Sequence, residues 1–311
     1  MNTDNQILTS LSRVAARRRF LQAAVAGVGT LGLTRAGLAA PATTPDIPPT
    51  QGLRGGRSKA RDQDILNFAL NFEYLGAELY MRATTGEGLS GADITGEGPN
   101  AAAAGTTTGG RKVTFETKLA ADLAAELAAD ELGHVRFVRS ATTRTIAKPA
   151  IDLDTSFTAA ARAAGLIGAT ETFDAFASED NLLLAGFMLE DVCVTALRGS
   201  ASLLAEPAVI ASAAGLLATE GYHAAAIRTM LAQKGLGAKT VNLSDLRDTA
   251  DGSPDLDQPV VNPDGTLNIV PTDANGLVFG RTPGQVLAIA YLNPTAESGG
   301  FFPNGVNGRI R

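Results

Sequence analysis

Two stretches place a carboxylate and an imidazole three residues apart inside an apolar helical pattern: Glu131-Leu-Gly-His134 and Glu220-Gly-Tyr-His223. Together they use both of the chain's 2 histidines. In a helix, positions i and i+3 lie about 60° apart around the axis and roughly 4.5 Å along it, so each pair projects from one face and can hold one cation. Leu216, Ile227 and Leu231 share the spacing of the second pair, and Ala120, Ala124, Leu127 and Val138 that of the first, which turns both pairs toward a core. A buried carboxylate is costly there. It is kept only with a shifted pKa, a salt-bridge partner or a metal ion.

The elements that must position these pairs follow from the same periodicity. Asp62 to Arg82 carries Leu66, Ala69, Phe72, Ala77 and Tyr80 at helical spacing, with Glu73 on the stripe and Glu78 off it. Residues 84–112 are rich in Gly, Thr and Ala without a period and read as a long loop, an insertion with no fixed place rather than a lid. A second helix is expected from about Phe115 to Thr143. A crossover from Ile146 to Asp174 follows, with Pro149 and a short helix around Ser156–Leu166. The third long helix spans Ser178 to Leu204, where Leu183, Phe187, Val194 and Leu197 form the stripe and Glu190 is its only acidic member. Glu206-Pro207 opens the fourth, and Gly235-Leu-Gly237 stops it. The fold class is therefore all-α, a four-helix bundle over residues 61–237 whose long connection between the second and third helices gives the ferritin-like arrangement.

In chain order the inward polar residues are Glu73, Glu131 with His134, Glu190, and Glu220 with His223. One Glu, one Glu-x-x-His, one Glu and one Glu-x-x-His mark the di-iron and di-manganese carboxylate bundles. Four carboxylates and two neutral imidazoles offset two divalent cations and offer the oxygen and nitrogen donors that Fe or Mn accepts. Two Fe or two Mn ions, or one of each, are thus the expected cofactor; zinc usually settles for fewer ligands.

Several motifs carry a family resemblance. These are Asp64-Ile-Leu-Asn-Phe-Ala-Leu-Asn-Phe-Glu73-Tyr-Leu, the two Glu-x-x-His pairs, Leu189-Glu190-Asp191-Val192, Arg281-Thr-Pro, and Gly299-Gly-Phe-Phe-Pro-Asn-Gly-Val-Asn-Gly308. On these residues the chain resembles the bacterial ferritin-like domain proteins related to plant desiccation-associated proteins, over essentially everything after residue 60. The resemblance implies that Glu131 and Glu220 bridge the two metals, that Glu73 and Glu190 bind terminally, and that each metal takes one histidine. It also implies that Asp130 supports His223, as a carboxylate on the far nitrogen fixes an imidazole's tautomer. The equivalent position before Glu220 is Thr219, so the two halves differ.

Outside the bundle, residues 1–40 read as a targeting segment: arginines, then an apolar run from Phe20 to Leu33 too short to span a bilayer, then small residues. Arg17-Arg18-Arg19-Phe20-Leu21-Gln22 resembles a twin-arginine export signal, which implies passage through the twin-arginine translocation machinery to the periplasm or the exterior. Residues 41–60, rich in Pro, Gly and Thr, read as a flexible linker. Removing residues 1–39 deletes five arginines and one aspartate and moves the formal net charge from −6 to −10. Such acidity argues against nucleic-acid partners, and nothing in the chain suggests stable membrane insertion. With Cys193 the only cysteine, no internal disulfide or cysteine-based zinc site can form. Cys193 is expected to be a buried small hydrophobe, and Tyr74, Tyr80 and Tyr222 packing residues.

Residues 238–311 read as a loop-rich extension packed on the bundle, with one clear helix: Thr282 and Gln285 form a capping-box pattern and Pro283 sits in the first turn before Val286–Tyr291. Such a tail disfavours an iron-storing cage. Two function classes stay open: a redox enzyme acting on O₂, peroxide or Fe²⁺ at the metal pair, and a non-enzymatic stress protein in which metal only stabilises the fold.

Overall fold

A computed structural model describes residues 56–252 and 254–311. The expected export signal, and the linker up to residue 55, lie outside the described residues. Seven α-helices, two three-residue 3-10 helices (Gly91–Asp93 and Gly98–Asn100) and a single pair of two-residue strands make up the regular structure of the described part. The fold is all-α. No helix among the described residues is long and apolar enough to cross a membrane.

The bundle helices are α1 (Lys59–Thr85), α2 (Lys118–Ala141), α4 (Glu179–Ala201) and α5 (Pro207–Gln233), with the short α3 (Thr155–Ala163) on the crossover. Each start has a local cause. Ser58, Thr117 and Ser178 turn their side chains back onto the free N–H groups of Arg61, Ala120 and Asn181, and Pro207 occupies the first turn of α5. Gly86, at φ 90°, ends α1 in a left-handed conformation that costs a residue with a β-carbon far more.

α1 packs along α2, and α4 along α5. Both pairs are antiparallel. Gln63, at the start of α1, bonds the Ala141 carbonyl and the Thr143 N–H at the end of α2, while Glu179, at the start of α4, meets Lys234 at the end of α5 at 2.6 Å. Buried carboxylates also tie one pair to the other. Asp62 accepts the Ala205 and Glu206 N–H groups at 2.9 Å before α5, and Glu179 accepts those of Glu116 and Thr117 before α2. A negative charge beside a helix start complements its dipole, so each contact fixes a helix end as well as a partner. Leu70, Leu79, Val135, Phe187 and Leu231 lie in the shared core, where burying each such side chain contributes about 1.5–3 kcal/mol.

The loop between α1 and α2 has a fixed place, contrary to the expectation of an unanchored insertion. Thr107 and Thr108 (β1) pair in parallel with Ile151 and Asp152 (β2), and Gly105 N–H donates to Lys148 O at 2.8 Å. Glu78 explains part of this. It lies off the apolar stripe yet is buried, meeting Arg82 Nε at 2.7 Å, Lys148 Nζ at 3.5 Å and the Leu89 N–H at 3.2 Å. One carboxylate thus gathers α1, the loop and the crossover.

The C-terminal segment also departs from expectation, since it holds two helices rather than one. α7 (Pro283–Ala290) carries the reciprocal Thr282–Gln285 capping box, but α6 (Gly237–Asp251) was not foreseen. Gly235, at φ 71°, makes the break after α5, and Gly237 already belongs to the next helix. The reason is chemical: α6 buries Thr240, Ser244 and Arg247 as well as Leu243 and Ala250, so its inward face has no apolar period to read.

That polar face belongs to a network of three buried arginines. Arg228 of α5 and Arg247 of α6 reach Asp191 Oδ2 at 2.8 and 3.1 Å, and Arg247 Nε also meets Asp257 at 2.8 Å. Arg281 pairs with Asp251 at 2.6 Å and with Asp257, and its Nη1 donates to Thr195 Oγ1 of α4 at 2.7 Å. Arg228 and Arg247 also stand over the Phe187 ring, 5.3 and 4.5 Å from its centroid. Removing one partner of such a set leaves a buried charge, so the network specifies where the tail docks. A second anchor is uncharged. Asn71 of α1 and Asn307 exchange backbone and side-chain hydrogen bonds at 2.9 Å, and Asn67 accepts the Ile146 N–H at 3.1 Å.

Candidate metal centre

The six expected ligands meet at the middle of the bundle, and all are buried. Glu73 comes from α1, Glu131 and His134 from α2, Glu190 from α4, and Glu220 and His223 from α5. Their donor atoms fall into two groups, each compact within 4.8 Å: Glu73, Glu131, His134 and Glu220, and Glu131, Glu190, Glu220 and His223. Glu131 and Glu220 belong to both groups. That is the placement two bridging carboxylates would have, with Glu73 and His134 at one end and Glu190 and His223 at the other.

The contacts show that protein partners alone do not satisfy the cluster. His134 Nδ1 lies 3.0 Å from Glu220 Oε1 and 3.2 Å from Glu73 Oε2, and His223 Nδ1 lies 3.5 to 3.8 Å from Glu190, Glu131 and Glu220. None of these contacts has hydrogen-bond geometry. His134 Nδ1, His223 Nδ1, Glu190 Oε2 and Glu220 Oε2 are buried without a hydrogen-bond partner. Native interiors rarely leave such atoms orphaned, and four in one cluster fit cation ligands facing a shared space.

The proton affinities say the same. Burial opposes the imidazolium, yet the facing carboxylates Glu220 and Glu73 raise His134 to about 10, and Glu190 and Glu220 raise His223 to about 11. Burial and the neighbouring charge of Glu220 push Glu131 well up and Glu190 to about 7. Glu220, also pushed up by burial, ends below its ordinary value because both histidines face it. Without metal the cluster therefore holds protons where a pair of cations would sit.

Two surrounding groups hold these side chains in place. Asp130 Oδ2 lies 3.1 Å from His223 Nε2, so the nitrogen turned away from the cluster has a carboxylate partner and Nδ1 is left to face inward. Thr219 gives His134 no such support, because its hydroxyl donates to Gly215 O of its own helix. The second group is Tyr80, expected from the sequence to be a packing residue. Its phenol donates to Glu190 Oε1 at 2.6 Å, so one oxygen is fixed and the other stays free. Burial and the Glu190 charge hold that phenol well above its ordinary pKa, as a neutral donor. A hydrogen bond from Tyr80 of α1 to a carboxylate of α4 leaves no signal in the periodicity of either helix.

The other expected packing residues divide. Tyr74 is buried but polar in its bonding, donating to Ile146 O at 3.2 Å and accepting from Arg139 at 2.6 Å. Tyr222 is 77 % exposed and packs in no core. Cys193 is partly buried rather than fully so, and burial together with Glu220 and Glu190 keeps its thiol neutral.

Gly76 is a further residue of the centre. A β-carbon there would stand 2.5 Å from Glu131 Oε2, so α1 can lie against this carboxylate only because position 76 has no side chain.

Fold and site together define a four-helix carboxylate bundle with paired Glu-x-x-His motifs. Residues 61–233 match the ferritin-like domain family, and the chain belongs to it. Among curated proteins, it is 28% identical over 269 residues to the desiccation-related protein PCC13-62 of Craterostigma plantagineum, covering 80% of this chain and 83% of that one. It is 26% identical over 268 residues to the ferritin-like catalase Nec2 of Nesocodon mauritianus, covering 80% and 84%. No solved structure matches the chain significantly.

Proposed function

We propose that this protein is a redox catalyst that consumes peroxide, or reacts with dioxygen, at a pair of Fe or Mn ions held by Glu73, Glu131, His134, Glu190, Glu220 and His223. The observation that carries the reading is the set of four orphaned donor atoms on these buried residues. A pair of such ions would supply the change of oxidation state that the reaction needs. The chain's part is to hold them. Glu131 and Glu220 would bridge, Asp130 keeps His223 in the tautomer that presents Nδ1, and Tyr80 holds Glu190 by one oxygen while leaving the second available. Similarity to a ferritin-like catalase supports peroxide as the oxidant.

A second reading, in which the metals only stabilise a desiccation-related protein, draws on the similarity to PCC13-62. Metal content and peroxide consumption measured on one preparation separate the two. Two Fe or Mn ions per chain with turnover, both lost in Glu131→Ala/Glu220→Ala, would support the enzyme. Two ions without turnover would favour the structural role, and no metal after supply of Fe²⁺ and Mn²⁺ would reject both.

Export belongs to the same reading. The Arg17-Arg18-Arg19-Phe20-Leu21 stretch supports the twin-arginine route, which carries folded, metal-loaded proteins, and a Arg17→Lys/Arg18→Lys/Arg19→Lys variant retained in the cytoplasm would be the expected result.

A further inference from the structure

Two apolar cavities lie beside each other against the carboxylates of the centre. The first, with about 440 Å³ of unfilled space counting its mouth, is walled by Phe72 and Leu75 of α1, Met188 of α4, Val286 and Ile289 of α7, and Phe301. Its polar lining is confined to Glu190 and the Cys193 thiol, and its wall also includes Gly76, behind which Glu131 lies. The second, with about 300 Å³ of unfilled space counting its mouth, is walled by Phe68 and Phe72 of α1 and Leu197 and Ser200 of α4, and Glu73 is part of its lining. Phe72 and Cys193 line both. The cavities are thus neighbours, and between them they touch the two end carboxylates, one from each half of the cluster.

The opposite side of the centre has a different character. There His223 is backed by Asp130, whose side chain is 42% exposed, so the histidine side carries a charged group that reaches solvent. A hydrated cation moving through the α1/α4/α7 cavities would shed its water against Phe, Leu, Met, Val and Ile side chains; before Glu190 or Glu73 is reached, the one oxygen-bearing side chain on the walls is Ser200 of the second cavity. That desolvation is prohibitive for a divalent ion, moderate for hydrogen peroxide with its two hydroxyl groups, and small for dioxygen.

We propose that these cavities form the route by which a small neutral oxidant, hydrogen peroxide or dioxygen, reaches the metal pair, with Phe72 and Cys193 at its junction and the C-terminal helix α7 as its roof. This deepens the reading above and rests on it. It assigns the C-terminal segment a role beyond stability, since α7 and Phe301 complete the walls of the passage. It also sets Fe²⁺ apart, because an iron ion cannot be the molecule that uses this route.

The test combines a probe that needs no metal with a rate that does. Crystals of the wild-type protein pressurised with xenon should show the gas beside Phe72 and Cys193, since xenon settles in apolar space. Cys193→Leu and Val286→Phe each narrow the passage from a different wall. Both should keep two metal ions per chain and lose the xenon. Both should also slow, by about tenfold or more, the single-turnover oxidation of the reduced metals, read by absorbance after mixing with peroxide in one arm and dioxygen in the other. Slowing in one arm alone identifies the oxidant. Absence of xenon in the wild type, or wild-type oxidation rates by both oxidants in the narrowed variants, overturns the route. If the reduced wild-type metals are inert to both oxidants while xenon binds as expected, the proposed function fails rather than the passage.

Discussion

Gly76→Ala separates the metal centre from the fold more cleanly than removing a ligand does. In the interior of α1, alanine in place of glycine favours the helix by about 1 kcal/mol. The new β-carbon, however, would stand 2.5 Å from Glu131 Oε2 and 2.8 Å from its Cδ. Restoring a tolerable contact requires the carboxylate to retreat by roughly 0.5–0.9 Å, well beyond the ±0.2 Å within which metal–ligand distances are held. Without metal that retreat is inexpensive, because the atoms concerned are the end of a flexible side chain; rearrangement and helix propensity nearly cancel. With metal the bridging position is lost. We expect the metal-free variant to unfold within a few degrees of wild type, while its affinity for Fe²⁺ or Mn²⁺ falls at least 10- to 100-fold, the range for disturbing a ligand's support. Gly215→Ala in α5 is the control, since nothing lies within 4 Å of its β-carbon. It should stabilise by about 0.5–1 kcal/mol and leave metal binding unchanged. Calorimetric titration of both metal-free variants, with thermal melts, provides the readout. Wild-type affinity in Gly76→Ala would refute the placement of Glu131 as a shared ligand.

Further expectations follow from the same contacts. Tyr80→Phe removes the hydrogen bond to Glu190 and, in the metal-free protein at pH 8 or above, where Glu190 (raised to about 7) is ionised, should cost about 1.5–3 kcal/mol, the range for a bond to a charged group, while still loading two metals; a melt at that pH unchanged from wild type would count against that bond. Metal loading at pH 7 should release about two protons or more per chain, because both histidines are raised to about 10 and 11 and must give up a proton to bind; affinity therefore rises with pH, and titrations in buffers of different ionisation enthalpy would expose a proton-independent reaction. Asp248 is raised to about 6 by burial and by the Asp257 charge, so its protonated form favours the fold: this contribution is fully present below pH 4 and is lost as pH rises through 6. Asp248→Asn should accordingly be more stable than wild type at pH 7.5 and show a flatter dependence between pH 5 and 7 in chemical denaturation. Arg281→Ala leaves Asp251 and Asp257 buried without their shared partner and should destabilise by about 3–5 kcal/mol; limited proteolysis that finds the segment after Gln233 no more open than in wild type would refute its role as an anchor.

The long helices and the polar residues on their inner faces were legible from periodicity because those residues fall on the apolar stripes of the helices that carry them. A stripe must face the core, so a Glu or His on it does too, and six such residues on four helices can meet only along the bundle axis. The identity of the donors that converge was therefore determined by the sequence alone. What periodicity cannot report is which residues on different elements touch, whether their own positions lie on a stripe, off it, or on a face that is polar throughout. Tyr80 on Glu190, Glu78 beneath the long loop, and the arginines that draw the polar helix α6 onto the bundle are all of this kind, and so is Gly76, whose lack of a side chain matters only because Glu131 arrives from another helix. Tertiary structure alone decided these, since the free energy of a buried charge or a close approach depends on which partner reaches it through space, a distance that local spacing along one chain does not encode.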